Sequence, residues 1–322
     1  MMPRRAHLLG SVGLQDAETV MMTVAKLLDK CCTRIPDGET GERGYWIRWQ
    51  QGTFDNCPSL EVEIVTQKLP GYKDSVKRPF FKIRHGISPD DLELGELGYA
   101  KEAINSYGLF SRLVDEGKIS ADVRFQVSLP TPMALVCGFI MPRDQLNIEP
   151  EIEKAMTRDI RRIQEEIPCE KLAIQWDVCF EVIGHDGGPK LPYDNDLEGS
   201  VERIGRLCEL IDDRIELIIH LCYGDPGHQH IVDPVDLGTS VVFANAICTT
   251  SARRIDAVHM PVVRSRTDDN YFKPLEELRM PAGTKLILGL VHYTDGVEGG
   301  RARMATADKY VKEYDIATEC GF

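Results

Sequence analysis

The 322-residue chain has no run of about 18 apolar residues, so no membrane-spanning helix is expected. Its first ten residues, Met-Met-Pro-Arg-Arg-Ala-His-Leu-Leu-Gly, are basic, but the apolar run is too short for a signal peptide. Lysines and arginines form no cluster, and a net charge of −13 with a pI near 5.2 argues against a nucleic-acid partner. The cysteines, Cys31, Cys32, Cys57, Cys137, Cys169, Cys179, Cys208, Cys222, Cys248 and Cys320, make no Cys-x-x-Cys pair and no small-domain framework. That usage suits reduced thiols, and a cytoplasmic protein is expected. No Gly-x-Gly-x-x-Gly follows the first strand, which removes support for a dinucleotide-binding fold. No repeat, low-complexity stretch or linker divides the chain, so residues 1–322 read as one domain.

What is present is typical of a globular enzyme, with 43% hydrophobic and 28% charged residues. Strands are expected at 6–12, just before Arg34, and at 123–129, 171–182, 215–222, 255–263, 285–292 and 314–320. Helices are expected at 16–31, 98–116, 149–167, 197–212, 236–250, near 268–279 and at 298–311. Residues 58–87 alternate apolar and polar and read as an inserted hairpin. About eight strands alternating with helices predict an α/β protein, a single (β/α)8 TIM barrel, with an open doubly wound sheet as the runner-up. The chain stops two residues after Cys320, where a barrel normally adds a helix. The barrel is therefore expected either to close unusually or to continue beyond this sequence.

Barrel active sites gather at the C-terminal ends of the strands. Those ends carry Ser11; Asp37 and Glu39; Pro130 and Thr131; Asp177 and Glu181; His220 and Cys222; His259 to Arg266; His292 and Asp295; and Cys320. Residues 215–230 are the most informative, an apolar strand running into Tyr-Gly-Asp-Pro-Gly turn chemistry. Alternation puts His220 and Cys222 on one face, within reach of a shared metal such as zinc, although a core histidine beside an inert thiol has the same pattern. On the 171–182 strand, Gln175, Asp177, Cys179 and Glu181 share one face, and Ile174, Trp176, Val178 and Phe180 the other. Inward carboxylates at Asp177 and Glu181 need partners, and a substrate amine is one candidate. Arg34, Asp37, Glu39 and Arg43 are either a solvated turn network or a recognition site for a charged substrate. His292 with Asp295 could supply an acid/base group and its orienter. Trp46 and Trp49 read as a packed loop.

Four segments carry a resemblance. Ile174-Gln-Trp-Asp177, His220-Leu-Cys222-Tyr, Ser265-Arg-Thr-Asp268 and Thr318-Glu-Cys320-Gly-Phe resemble motifs of the catalytic half of cobalamin-independent methionine synthase. They stand in the order and at roughly the spacing of that family, within the methionine synthase/uroporphyrinogen decarboxylase barrel superfamily, and span residues 170–322. The Gly10-Ser11 strand and the Arg-Ile-Pro-Asp-Gly-Glu loop extend the likeness into the first half. The resemblance implies zinc held by His220, Cys222 and Cys320, binding a thiol substrate as thiolate for attack on a methyl donor, a folate or corrinoid. It implies substrate contacts from Ser11, Arg34, Asp37, Glu39, Gln175 and Arg266, and catalytic roles for Asp177, Glu181, His292 and Asp295. The glutamate ligand of the family falls at Val263, which cannot bind metal. His259, four residues back, is the substitute expected, with His228 and His230 behind it.

The expected function is thus a zinc-dependent methyl or alkyl transferase activating a small thiol or amino-acid-like substrate, distinct from methionine synthase itself. The alternative is a lyase, decarboxylase or hydrolase using the same histidines and carboxylates without a thiol. A homo-oligomer is possible on either reading. The transferase reading requires the fifth and eighth barrel strands to lie together as neighbours, so that sulfurs almost a hundred positions apart converge.

Overall fold

The computed structural model describes residues 4–68, 73–194, 196–225 and 229–321. The strands are β1 (Ala6–His7), β2 (Arg34–Pro36), β3 (Leu60–Gln67), β4 (Val76–Ile83), β5 (Arg124–Pro130), β6 (Leu172–Val178), β7 (Glu216–Leu221), β8 (Ala257–Pro261), β9 (Lys285–Val291) and β10 (Asp315–Thr318). Eight of them make one parallel sheet in the order β1-β10-β9-β8-β7-β6-β5-β2. Two bridges, Ala6 to Cys32 and Ser11 to Gly38, join the outer strands, so the sheet curls into a nearly closed (β/α)8 barrel. The helical layer comprises α1 (Ala17–Leu28), α2 (Gln51–Asp55), α3 (Tyr99–Asp115), α4 (Pro132–Phe139), α5 (Gln145–Glu166), α6 (Phe180–His185), α7 (Asp196–Glu209), α8 (Gly238–Thr250), α9 (Asp269–Phe272) and α10 (Gly296–Tyr310).

Local chemistry explains how the elements start and pack. Asp16 caps α1 by accepting the Thr19 amide at 2.8 Å, and α1 buries Val20, Met21 and Val24. The inserted segment is the antiparallel hairpin β3–β4, in register from Leu60 opposite Ile83 to Gln67 opposite Val76. Its Phe81 stacks on Phe54 of α2 at 5.5 Å, and Phe54 on Phe139 of α4 at 4.9 Å, which fastens the hairpin outside the barrel.

Alternation along each strand sorts the barrel interior into layers. Ala173, Ile218, Ala257, Ile287 and Ala317 form a small apolar cluster. One pleat further along, Gln175, His220, His259 and Gly289 take the equivalent positions, so the interior turns polar towards the strand ends. The opposite face of β6, with Ile174, Trp176 and Val178, joins the main core. Burying Ile174 and Val178 contributes about 1.5–3 kcal/mol each. A one-residue slip would exchange the two faces, so this contrast holds the register.

Two expectations change. The fifth and eighth barrel strands, β7 and β10, are not neighbours, because β8 and β9 stand between them. Their side chains meet across the mouth instead of along a ladder. Strand β6 also ends at Val178, not Val182: Cys179 turns to φ −112° and ψ −67°, and α6 begins at Phe180. Strand alternation therefore stops before Glu181.

Candidate metal centre at the barrel mouth

Among the described residues, one group has ligand atoms placed to share a metal ion: His220, Cys222 and Cys320, whose ligand atoms all lie within 4.8 Å of one another. His220 lies on β7 and Cys222 follows that strand's end, on the same side by alternation, while Cys320 follows β10. The two sulfurs are 3.7 Å apart, and the Gly224 amide donates to the Cys222 sulfur at 3.2 Å. Hydrogen bonding with Cys179 heads the causes that raise the Cys222 thiol well above its ordinary range, and contact with Cys222 followed by burial raises Cys320. Without a cation these sulfurs therefore keep their protons; a dication would draw them off.

The histidine of the cluster is oriented from behind. His259 Nε2 lies 3.0 Å from the Thr318 carbonyl, an acceptor, so this nitrogen carries the proton. Burial brings the pKa of His259 down to about 4, although the Thr318 and Leu221 carbonyls favour its charged form, so the ring is neutral and, with the proton on Nε2, its Nδ1 is an acceptor at neutral pH. His220 Nδ1, 2.8 Å from that atom, must then be the donor. Burial, with His259 and His7 nearby, also keeps His220 neutral, so its Nε2 offers a lone pair. Two soft sulfurs and a tautomerically fixed imidazole suit zinc. His259, expected as a fourth ligand, has both nitrogens engaged. Gly289 makes room for this arrangement, since a Cβ there would stand 2.7 Å from the Thr318 carbonyl and 2.9 Å from His259 Nε2.

Beside the cluster lies a carboxylate pocket. Asp177, in register with His220, accepts from Gln175 Nε2 at 2.8 Å and from the Trp46 indole. Burial raises its pKa to about 7. Glu39 is raised well above its usual range by burial, then by Asp177 and Asp37. Its backbone is left-handed (φ 49°), as is that of Trp46 (φ 53°), an uncommon state for residues with side chains. Asp37 maintains this loop, taking Arg43 at 2.6 Å, the Ser106 hydroxyl at 2.7 Å and the Glu39 amide at 2.9 Å. Gln175 links the pocket to the barrel interior through His7 at 2.8 Å and the Leu9 carbonyl at 2.5 Å. Ser11 lies against Gly321, next to Cys320. Two acids reluctant to ionise together are suited to an ammonium group, which would supply the missing positive charge.

A third group was not visible in the sequence. Glu319 bridges two imidazoles, with His292 Nδ1 at 3.1 Å and His230 Nε2 at 3.2 Å. Burial opposes its ionisation, but the two histidines bring its pKa down to about 2. His230 is raised although burial opposes this, because Glu319 and Asp233 favour its charged form. His292 Nε2 also meets the Val262 carbonyl at 2.8 Å. Thus Glu319 takes the position beside His292 expected for Asp295. Asp295 instead forms a two-pronged ion pair with the buried Arg303, at 2.7 and 2.8 Å.

The remaining expected residues stand apart. Arg34 opens β2 and pairs at 2.9 Å with Glu216, which opens β7, so it sits at the end of the barrel opposite the mouth. Glu181 is fully buried in α6 and raised to about 7 by burial, beside Thr131, Glu149 and Arg203. Arg266 is committed to Asp268 at 2.8 Å and to the Val235 carbonyl. His228 lies outside the described residues. Sequence reasoning made no site residue of Cys179 or Glu319 and read Trp46 as part of a packed loop. Cys179 had a signal, its place on the face of Asp177. Glu319 sits beside a cysteine already singled out, but β10 ends at Thr318 after a register shift, so alternation does not give its direction.

No protein-family model and no curated protein matches the chain. Among the described residues, no helix is long and apolar enough to cross a membrane.

Proposed function

We propose that the chain is an enzyme that activates a small thiol at a zinc ion held by His220, Cys222 and Cys320, and transfers a methyl or other alkyl group to it. The observation that carries this reading is the convergence of those three ligand atoms within 4.8 Å from elements almost a hundred residues apart. The metal would supply one thing, retention of the substrate sulfur as thiolate at a pH where free thiols are largely protonated. The chain supplies the rest. Asp177 and Glu39 are suited to grip the ammonium of an amino-acid-like substrate and so fix its sulfur over the cluster. His230, Glu319 and His292 form a proton-bearing network at the same rim, able to serve a leaving group. A folate or corrinoid carrier would be the alkyl donor, as the resemblance to cobalamin-independent methionine synthase implies.

A thiol-free lyase or hydrolase draws on one observation, the Asp177 carboxyl with its pKa near 7, which suits a general acid or base. Metal analysis of the purified chain separates the two. The transferase reading expects about one zinc per chain, and Cys222→Ser should lose metal and turnover together. Full turnover by metal-free protein would overturn it and leave the acid–base reading standing.

A further inference from the structure

We propose that Cys179 is the fourth protein ligand of this ion, so that the resting centre has one imidazole and three thiolates. The inference rests on the zinc reading above and completes its ligand set. Zinc takes four ligands, and the cluster offers three. Val263 has no donor atom. His259 spends one nitrogen on His220 and the other on Thr318. Glu319 is spent on His230 and His292. Asp177 is held by Gln175 and Trp46.

Among the described residues, Cys179 is a further thiol beside the cluster. The β6–β7 ladder sets Asp177 opposite His220 and Val178 opposite Leu221, and the Cys222 amide donates to the Val178 carbonyl at 3.0 Å. The next residue on each strand brings Cys179 beside Cys222, and the two thiols are hydrogen-bonded to each other. Cys179 is buried, 1% exposed, so its sulfur is shielded from competing solvent. It touches the cluster through Cys222 and is not one of the three residues packed within 4.8 Å, which makes it the most loosely held of the four.

That looseness has a use. A zinc centre closed by four protein ligands is structural, whereas catalysis needs a position that opens. An incoming thiol would replace Cys179: one metal–sulfur bond breaks as another forms, and the Cys179 sulfur takes the proton that the substrate gives up. The charge of the centre does not change.

X-ray absorption at the zinc edge of the full chain loaded with zinc alone, without added thiol, tests this. The expected shell is three sulfurs and one nitrogen, falling to two sulfurs in Cys179→Ser. The cobalt-loaded Cys179→Ser chain should lose about a third of its thiolate-to-metal absorption. Zinc affinity should drop by more than the roughly 10–100-fold that an outer-shell partner costs. The wild-type sulfur count needs no variant, so a poorly folding Cys179→Ser leaves the test intact. Two sulfurs in the wild-type shell would overturn the Cys179 assignment and leave the zinc reading untouched. A wild-type chain that takes up no zinc would overturn both.

Discussion

Asp177→Asn is expected to reverse the sign of its effect on stability with pH. The wild-type carboxyl, 8% exposed, has its pKa raised from 3.8 to about 7. Below the lower value both folded and unfolded chains hold the proton, and the group contributes nothing. Between the two values the unfolded chain ionises while the folded one stays protonated, so the wild type loses about 1.4 kcal/mol per pH unit. Above about pH 7 the full penalty, about 4 kcal/mol, is in place. Asparagine escapes that penalty. It still accepts from Gln175, but its amide cannot accept the Trp46 indole, at a pH-independent cost of about 1–3 kcal/mol. The variant should therefore be less stable than wild type near pH 4, where little of the penalty is in place, and more stable at pH 8, the difference moving by about 3 kcal/mol between pH 5 and 8. At roughly 2.1 cal/mol/K per residue for 322 residues, that is about 4 °C in Tm. Urea unfolding of metal-free wild type and variant at pH 4, 5, 6, 7 and 8 measures it. The same variant should bind an amine-bearing thiol more weakly, because stability is gained by removing the charge that the ligand needs. A difference constant across this pH range would mean that Asp177 ionises like an ordinary surface acid, and the ammonium argument would fall with it.

Two further perturbations address how the cluster is held. His259→Leu removes the acceptor for His220 Nδ1 and should weaken zinc binding about 10–100-fold in a chelator competition, with partial rescue in His259→Gln, whose carbonyl can accept again; equal affinities in all three chains would refute the tautomer argument. Gly289→Ala places a Cβ against the Thr318 carbonyl, the Glu319 Cα and His259 Nε2 at 2.7–2.9 Å, and should cost about 1–3 kcal/mol in unfolding while loosening zinc; an unchanged denaturation midpoint would show that the last strand has slack.

These perturbations act where strand regularity ends, and the same boundary separates what the sequence reveals from what it conceals. The barrel was legible because β-branched runs and amphipathic helices alternate along the whole chain, and each period reports burial directly. His220 and Cys222 were legible for a related reason: two residues on one strand share a face whatever the rest of the chain does. Cys320 entered as a candidate ligand through a short motif. Its approach to Cys222 across β8 and β9 depends on barrel curvature, which no local pattern encodes. Past the strand ends, alternation fails. The turn at Cys179 sends the chain into α6, separating Glu181 from Asp177 while Cys179 stays against Cys222. Glu39 and Trp46 adopt left-handed backbones that their residue types disfavour, so propensity points away from the conformations that bring them to Asp177. Local preference is overruled there by the bonds of Asp37, to Arg43 close by in sequence and to Ser106 on a helix more than sixty residues away. Strain of that kind persists only where the surroundings over-determine it. Its presence in the loop bearing Glu39 therefore supports a selected placement of that carboxyl near Asp177 more strongly than either acid could alone.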